Sequence, residues 1–437
     1  MEETEPSPEH ESPSGLTPLS ILALIAGAAT GAVGAAFRAS LEAADRLRDV
    51  FIAQAHAARP AGFLAVVGAC ALAALVAAWL VRRFSPNAAG SGIPHVEAVL
   101  RDGLPPAPYG LAPIKFVGGV LAIGAGLALG REGPTVQMGA SIAVLIGRAF
   151  RLPWRDCRAL LAAGAGAGLA TAFNAPLAGA AFVLEELVQS FDPRIAVAAL
   201  AASATAISVA RAALGDRPDF LVGDLPNVPT VAHPLFFVLG AAAGLVGVAY
   251  NQALIATIAA AERIPLAVEA RAALVGAGVG ALGFFWPQVV GGGNAITESL
   301  LTGGPSLILV AAMFAVRFGL GPISFAAGTP GGLLAPLLVL GAQLGLLFGA
   351  GADWAIPGLG VPPAAFALIG MAAFFTSVNR SPLTGMVLVS EMTGNVTLLL
   401  PMLGACAFAM VTPALLRNAP VFDTLRESLL RRARAGP

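Results

Sequence analysis

Leu129-Gly130-Arg131-Glu132-Gly133-Pro134 sets a glutamate between two glycines, with a proline behind it, among long apolar runs. A carboxylate at membrane depth is costly, and an ionisable residue there is a functional-site hypothesis by default. Pro134 suits the first turn of a helix beginning at this point, and a helix start offers free N–H groups and a partial positive charge. Both features favour an anion. Glu132 is therefore read as a movable side chain standing where a free anion could stand.

Outward from this segment the whole chain reads as membrane. Hydrophobic residues make up 57% of the 437 and charged residues 11%, with a mean hydropathy of +0.81, which leaves too little polar surface for a soluble domain of this size. The 52 glycines and 33 prolines fit membrane helices, which carry more of both than soluble ones. A formal net charge of zero gives no basic footprint for nucleic acid. Cys70, Cys157 and Cys406 lie singly in apolar segments, without metal-ligand spacing or a paired framework, and are read as packing residues. No metal or other cofactor is expected. The stretch Glu2 to Glu11 is acidic where a signal peptide carries basic residues, so a removable signal peptide is not expected.

Apolar stretches of about 20 residues, enough to span a bilayer, are expected at 16–37, 61–81, 195–216, 234–258, 268–286 and 395–416. Others, at 114–129, 135–150, 159–173, 176–190, 305–318, 332–349, 363–377 and 382–392, are interrupted by Gly, Pro or a charge and predict broken or tilted helices. Irregular backbone is tolerated inside a membrane only where protein buries it or it lines a wet cavity, so the interruptions predict an ion path between helices. Arg82-Arg83, the arginines at 148, 151, 155 and 158, and the run Arg426 to Arg434 put the C-terminal tail in the cytoplasm by the positive-inside tendency.

The chain also repeats itself. Gly90-Ser91-Gly92 returns as Gly291-Gly292-Gly293, and Pro134, Gly139 and Gly147 return 202 residues later as Pro336, Gly341 and Gly349. Pro176-Leu177-Ala178-Gly179, with Glu185 nine residues after the proline, returns as Pro382-Leu383-Thr384-Gly385 with Glu391 nine after it. Ordered landmarks at near-constant spacing divide the chain into an acidic disordered tail (1–15), a first membrane repeat (16–216), a linker (217–233), a second membrane repeat (234–416) and a C-terminal segment (417–437) whose start lines the pore. Duplicated halves that bring interrupted helices to a shared midplane are a known transporter plan, with the site at the repeat interface.

Gly90-Ser91-Gly92-Ile93-Pro94, Gly130-Arg131-Glu132-Gly133-Pro134 and Gly331-Gly332-Leu333-Leu334-Ala335-Pro336, in this order and at this spacing, resemble the signature segments of the CLC chloride channels and chloride/proton exchangers. Asn174-Ala175-Pro176-Leu177-Ala178-Gly179 followed by Glu185-Glu186 adds to the resemblance, which runs from about residue 20 to residue 430. It implies an all-α integral membrane protein of CLC type, built from two inverted-topology repeats of tilted and interrupted helices. It further implies a homodimer with a pore within each subunit, in the prokaryotic form that lacks a regulatory CBS domain. The expected setting is a bacterial inner membrane, with both termini cytoplasmic.

The resemblance also assigns roles. Ser91, Gly92 and Ile93 bind the anion from one side, Ser91 through its hydroxyl, and the backbone of Leu333 and Leu334 binds it from another. An ion held by N–H groups and dipoles can still leave, whereas a buried arginine would tend to trap it. Glu132 becomes the external gate: deprotonated, it competes with the anion, and protonated, it swings away. Arg131 and Lys115 support the local field. Glu185 and Glu186 point in different directions at their i, i+1 spacing, and Glu186 matches the internal proton-transfer glutamate of the exchangers. His95 is read as a surface residue beside a loop.

One departure from the pattern concerns the central anion. In Ala419-Pro420-Val421-Phe422-Asp423, Phe422 occupies the position where many members place a tyrosine whose hydroxyl contacts the anion. The expected function is chloride/proton antiport, with a channel or weakly coupled carrier as the alternative. Fluoride and nitrate specificity are disfavoured because Ser91 is retained. An intramembrane serine hydrolase built on Ala89-Gly90-Ser91-Gly92 lacks an activating base beyond His95.

Overall fold

The computed structural model describes residues 15–435 apart from residues 59, 217, 221, 224 and 227. The acidic tail expected at 1–15 thus lies almost wholly outside the described residues. Those described form α1 (Leu16–Ala55), α2 (Ala61–Phe84), α3 (Ile93–Arg101), α4 (Leu111–Gly124), α5 (Glu132–Ala149), α6 (Trp154–Phe173) and α7 (Pro176–Phe182), which continues into a π-helical stretch Val183–Val188. Then follow α8 (Pro193–Leu214), α9 (His233–Arg263), α10 (Val268–Phe285), α11 (Asn294–Leu301), α12 (Leu307–Ala326) and α13 (Leu334–Ala355). The last four are α14 (Pro363–Asn379), α15 (Pro382–Thr393), α16 (Leu399–Leu415) and α17 (Val421–Ala435). Among the described residues, seven helices are long and apolar enough to cross a membrane: α1, α2, α8, α9, α10, α12 and α13.

The stretches 305–318 and 332–349, expected as shorter interrupted pieces, are instead continuous helices of membrane length, α12 and α13, and two of the expected spans also differ. The stretch expected at 16–37 runs on as helix to Ala55, through a polar segment that stays helical because Arg38 pairs with Glu42 at 3.2 Å and Arg48 with Asp45 at 2.6 Å. Such i,i+4 and i,i+3 pairs support a helix face turned to water. The stretch expected at 395–416 is helical only over α16, which has 17 residues.

Neighbouring helices approach closely where small residues meet. A Cβ on Gly139 of α5 would lie 2.2 Å from the carbonyl oxygen of Gly164 on α6, and one on Gly341 of α13 would lie 2.5 Å from that of Gly370 on α14. Each contact is the repeat counterpart of the other, and each brings backbone against backbone, as small-residue interfaces in membranes do.

The interruptions satisfy one another. Gly90 N donates to Thr329 O (3.1 Å) and Gly331 N to Gly90 O (3.1 Å), while Gly130 and Gly332 exchange bonds of 2.9 and 2.7 Å. Loops of the first half therefore take their partners from the second, which answers the demand that backbone at membrane depth be hydrogen-bonded. Lys115 Nζ donates to the carbonyls of Ala88 (3.1 Å) and Gly90 (2.7 Å). Arg317, 202 residues later, donates to those of Val289 (3.0 Å), Gly291 (3.1 Å) and Gly292 (3.2 Å). Gly92 before α3 and Gly293 before α11 both sit at left-handed φ, 85° and 92°, where a side chain would be strained.

Candidate functional site

Glu132 is the first residue of α5 and is fully buried. Its Oε1 accepts a 2.7 Å hydrogen bond from the N–H of Leu334, the first residue of α13. Two helix starts thus meet at one carboxylate, and each supplies unpaired N–H groups and positive dipole character there. The space is kept by glycine: a Cβ on Gly130 or on Gly332 would lie 2.0 Å from a Glu132 carboxylate oxygen. Leu333 caps α13 directly before Leu334.

Ser91 is buried, and its Oγ makes no hydrogen bond with the described residues. It lies against the start of α5, since a Cβ on Gly133 would be 2.5 Å from that oxygen. Gly92 and Ile93 then open α3, which is steadied by Gln137 of α5: its Oε1 faces Gly92, and its Nε2 donates to Asn87 O at 2.9 Å. Phe422, the second residue of α17, is fully buried, and α17 packs on α3. Ser91, Gly92, Ile93, Glu132, Leu333 and Leu334 are thus gathered where α3, α5 and α13 begin.

Glu186 sits apart, buried in the π-helical stretch, where Ser381 Oγ donates to its carboxylate. Glu185 turns the other way and accepts from Leu383 N (2.9 Å), Thr384 N (2.7 Å) and Thr384 Oγ1 (2.7 Å), capping α15. Glu391 returns the arrangement, accepting from Leu177 N (3.0 Å) and Ala178 N (2.8 Å) at the start of α7. His95 corrects an expectation. It is buried within α3 rather than exposed, because α3 is enclosed along nearly its whole length.

Lys115 holds the carbonyls of the loop before α3, and Arg131 also holds backbone: its Nε donates to Ala172 O at 2.7 Å. Two further charged groups, Asp219 and Glu97, stand out only in the structure. Asp219, between α8 and α9 and 3% exposed, reaches Arg131 at 2.7 Å and Arg38 at 2.8 Å. Glu97 is buried in α3, 4.0 Å from Arg426 of α17, which also pairs with Asp423 at 3.1 Å. A charge in a nine-residue helix directly after the Ser91 segment was the available signal for Glu97. Asp219 offered none, because it lies in a loop far from its partners in sequence. A cavity of about 610 Å³, lined among others by Arg38, Asp45, Arg48 and Asp219, reaches Gly130 and Arg131 beside Glu132.

Interrupted helices that turn their starts toward one buried carboxylate, inside a multi-pass membrane protein, define a carrier or channel for a small anion. The chain belongs to the voltage gated chloride channel family (Voltage_CLC), whose model matches residues 73–413. It is 36% identical over 428 residues to the H(+)/Cl(-) exchange transporter ClcA of Vibrio parahaemolyticus, covering 95% of this chain and 91% of that protein. To the ClcA of Citrobacter koseri it is 36% identical over 422 residues, covering 94% and 88%. Among solved structures it resembles a slow cyanobacterial Cl-/H+ antiporter, with a TM-score of 0.91 at 31% identity over 95% of this chain and 98% of that one. A CLC-type fluoride/proton antiporter shares the fold, with a TM-score of 0.81 at 22% identity over 94% and 98%. The family is one of transporters, and the hydrolase alternative falls with that membership.

Proposed function

We propose that the chain exchanges chloride for protons across a bacterial inner membrane, as a homodimer whose subunits each contain a path and whose termini are cytoplasmic. The observation that carries this reading is the Glu132 carboxylate on the Leu334 N–H where α5 and α13 begin. An ionised carboxylate there occupies the field that would hold chloride, and its protonation removes that attraction, so one side chain answers to both ions. Ser91, Gly92, Ile93, Leu333 and Leu334 bind the anion with N–H and hydroxyl donors, Phe422 borders it, and Arg131 and Lys115 shape the field from behind. Glu186 passes protons on the cytoplasmic side. The exchange activity in the names of the 36% identical relatives supports the same reading.

The test is purified protein in liposomes, with chloride efflux and proton uptake recorded together. A chloride gradient should drive protons uphill through the native protein. Glu132→Gln should keep chloride flux and abolish that proton movement; proton pumping that survives the change removes Glu132 from the coupling step.

A further inference from the structure

Arg131 is the neighbour of the gate, and its guanidinium has two partners: the carbonyl of Ala172 and the carboxylate of Asp219, each at 2.7 Å. Asp219 is shared, since its other oxygen lies 2.8 Å from Arg38 of α1. The side chains are 3% exposed for Asp219, 11% for Arg131 and 21% for Arg38. One carboxylate thus answers two arginines at the edge of the cavity that reaches Gly130. The third arginine of that wall, Arg48, has carboxylates of its own in Asp45 and Asp49. Glu42 also pairs with Arg38, but at 46% exposure it is screened by solvent. Asp219 is held in place by the residue after it, for Phe220 N donates to Met392 O at 3.1 Å and the Phe220 ring is buried.

We infer that Asp219 is a positioning residue for anion transport, whose charge offsets Arg131 and Arg38 and so keeps the outer anion position weak enough for ions to leave. The inference rests on the antiport reading. Arg38, Arg131 and Asp219 share one cavity wall with Gly130, and charges sheltered from water act on an anion far more strongly than exposed ones. Conduction needs binding that is favourable yet readily reversed. Without Asp219, Arg131 and Arg38 would lose their one buried carboxylate, leaving only Glu42, Asp45 and Asp49, at 46%, 42% and 61% exposure, to offset that wall. The two arginines would deepen the well for chloride and for the Glu132 carboxylate alike, and turnover would slow.

The gate's own competition is removed by measuring chloride binding in the Glu132→Gln background. There, Asp219→Asn should tighten chloride by about threefold or more in isothermal titration, and Arg38→Gln should weaken it by about as much, the order expected for one partly screened charge across the cavity. With Glu132 intact, Asp219→Asn should slow chloride turnover in liposomes by about threefold or more, and Asp219→Glu should restore it. A purely structural role for Asp219 predicts weaker binding, not tighter. Unchanged or weakened chloride binding with Asp219→Asn overturns the inference, as does a Glu variant that behaves like the Asn variant. If Asp219→Asn yields no folded protein, Asp219→Ser, which also removes the charge, decides in its place by the same sign: tighter chloride supports the inference, and unchanged or weaker chloride overturns it. Native protein run in the same vesicles separates the two levels: absence of exchange there sinks the antiport reading, whereas native exchange with unmoved variant affinities sinks this inference alone.

Discussion

Ser91 carries a buried hydroxyl without a hydrogen-bond partner among the described residues, against the first turn of the helix that Glu132 opens. Proline at this position would remove both hydroxyl and N–H, so Ser91→Pro should shift preference from chloride toward nitrate. Matched flux assays check this, and an unchanged ratio would exclude Ser91 from the path. Phe422 makes a complementary case. Its ring is fully buried at the start of α17 but offers no donor, and a hydrogen bond to a charged group contributes about 1.5–3 kcal/mol. Phe422→Tyr should therefore tighten chloride in isothermal titration; equal or weaker binding would move Phe422 away from the anion. At this scale the sequence was legible where a residue's meaning is local. Glu132, Ser91 and Leu334 announce themselves through adjacent glycines and prolines that mark helix starts. Asp219 and Arg426 do not, because their meaning lies in partners 88 residues away or more, Arg131 and Glu97. His95 was misread because a short helix between glycine loops can be surface or core, and only packing decides.

At the scale of elements, duplication does more than copy helices. Glu185 caps α15 of the other half, and Glu391 caps α7 in return. The spacing of the two prolines and two glutamates was visible in the sequence, but the exchange of caps across the halves was not, since it depends on how the halves face each other. This arrangement separates the adjacent glutamates by task. Glu186→Gln should stop proton transport while chloride still passes. Glu185→Gln should leave both fluxes nearly intact and instead lower stability by about 1 kcal/mol, the usual worth of a cap. Flux recordings alongside thermal unfolding distinguish the two, and reversed severities would mean that Glu185 carries the proton.

At the scale of the whole molecule, the glycine loops that break the helices form its centre. Read alone, Gly90-Ser91-Gly92 or Gly331-Gly332 looks like flexible chain, and a soluble protein would place such segments at its surface. Here their N–H groups are taken by carbonyls of the opposite half: Gly90 by Thr329, Gly331 by Gly90, and Gly130 and Gly332 by each other. Lys115 holds carbonyls of the Gly90 loop from behind, and Arg317 holds those of its repeat counterpart at Gly291 and Gly292. Protection from exchange follows hydrogen bonding and burial rather than helical form. The amides of Gly90, Gly130, Gly331 and Gly332 should therefore exchange with deuterium as slowly as those of the buried helix α14, and far more slowly than the exposed amide of Gly223. The same reasoning predicts that residues 16–216 expressed alone leave these groups unpaired at membrane depth, at a cost of several kcal/mol each. That half should fail to give a folded, chloride-binding species, and co-expression with residues 217–437 should restore one. Fast exchange at the four glycines, or chloride binding by the first half alone, would show that the loops are held within each half instead of between them.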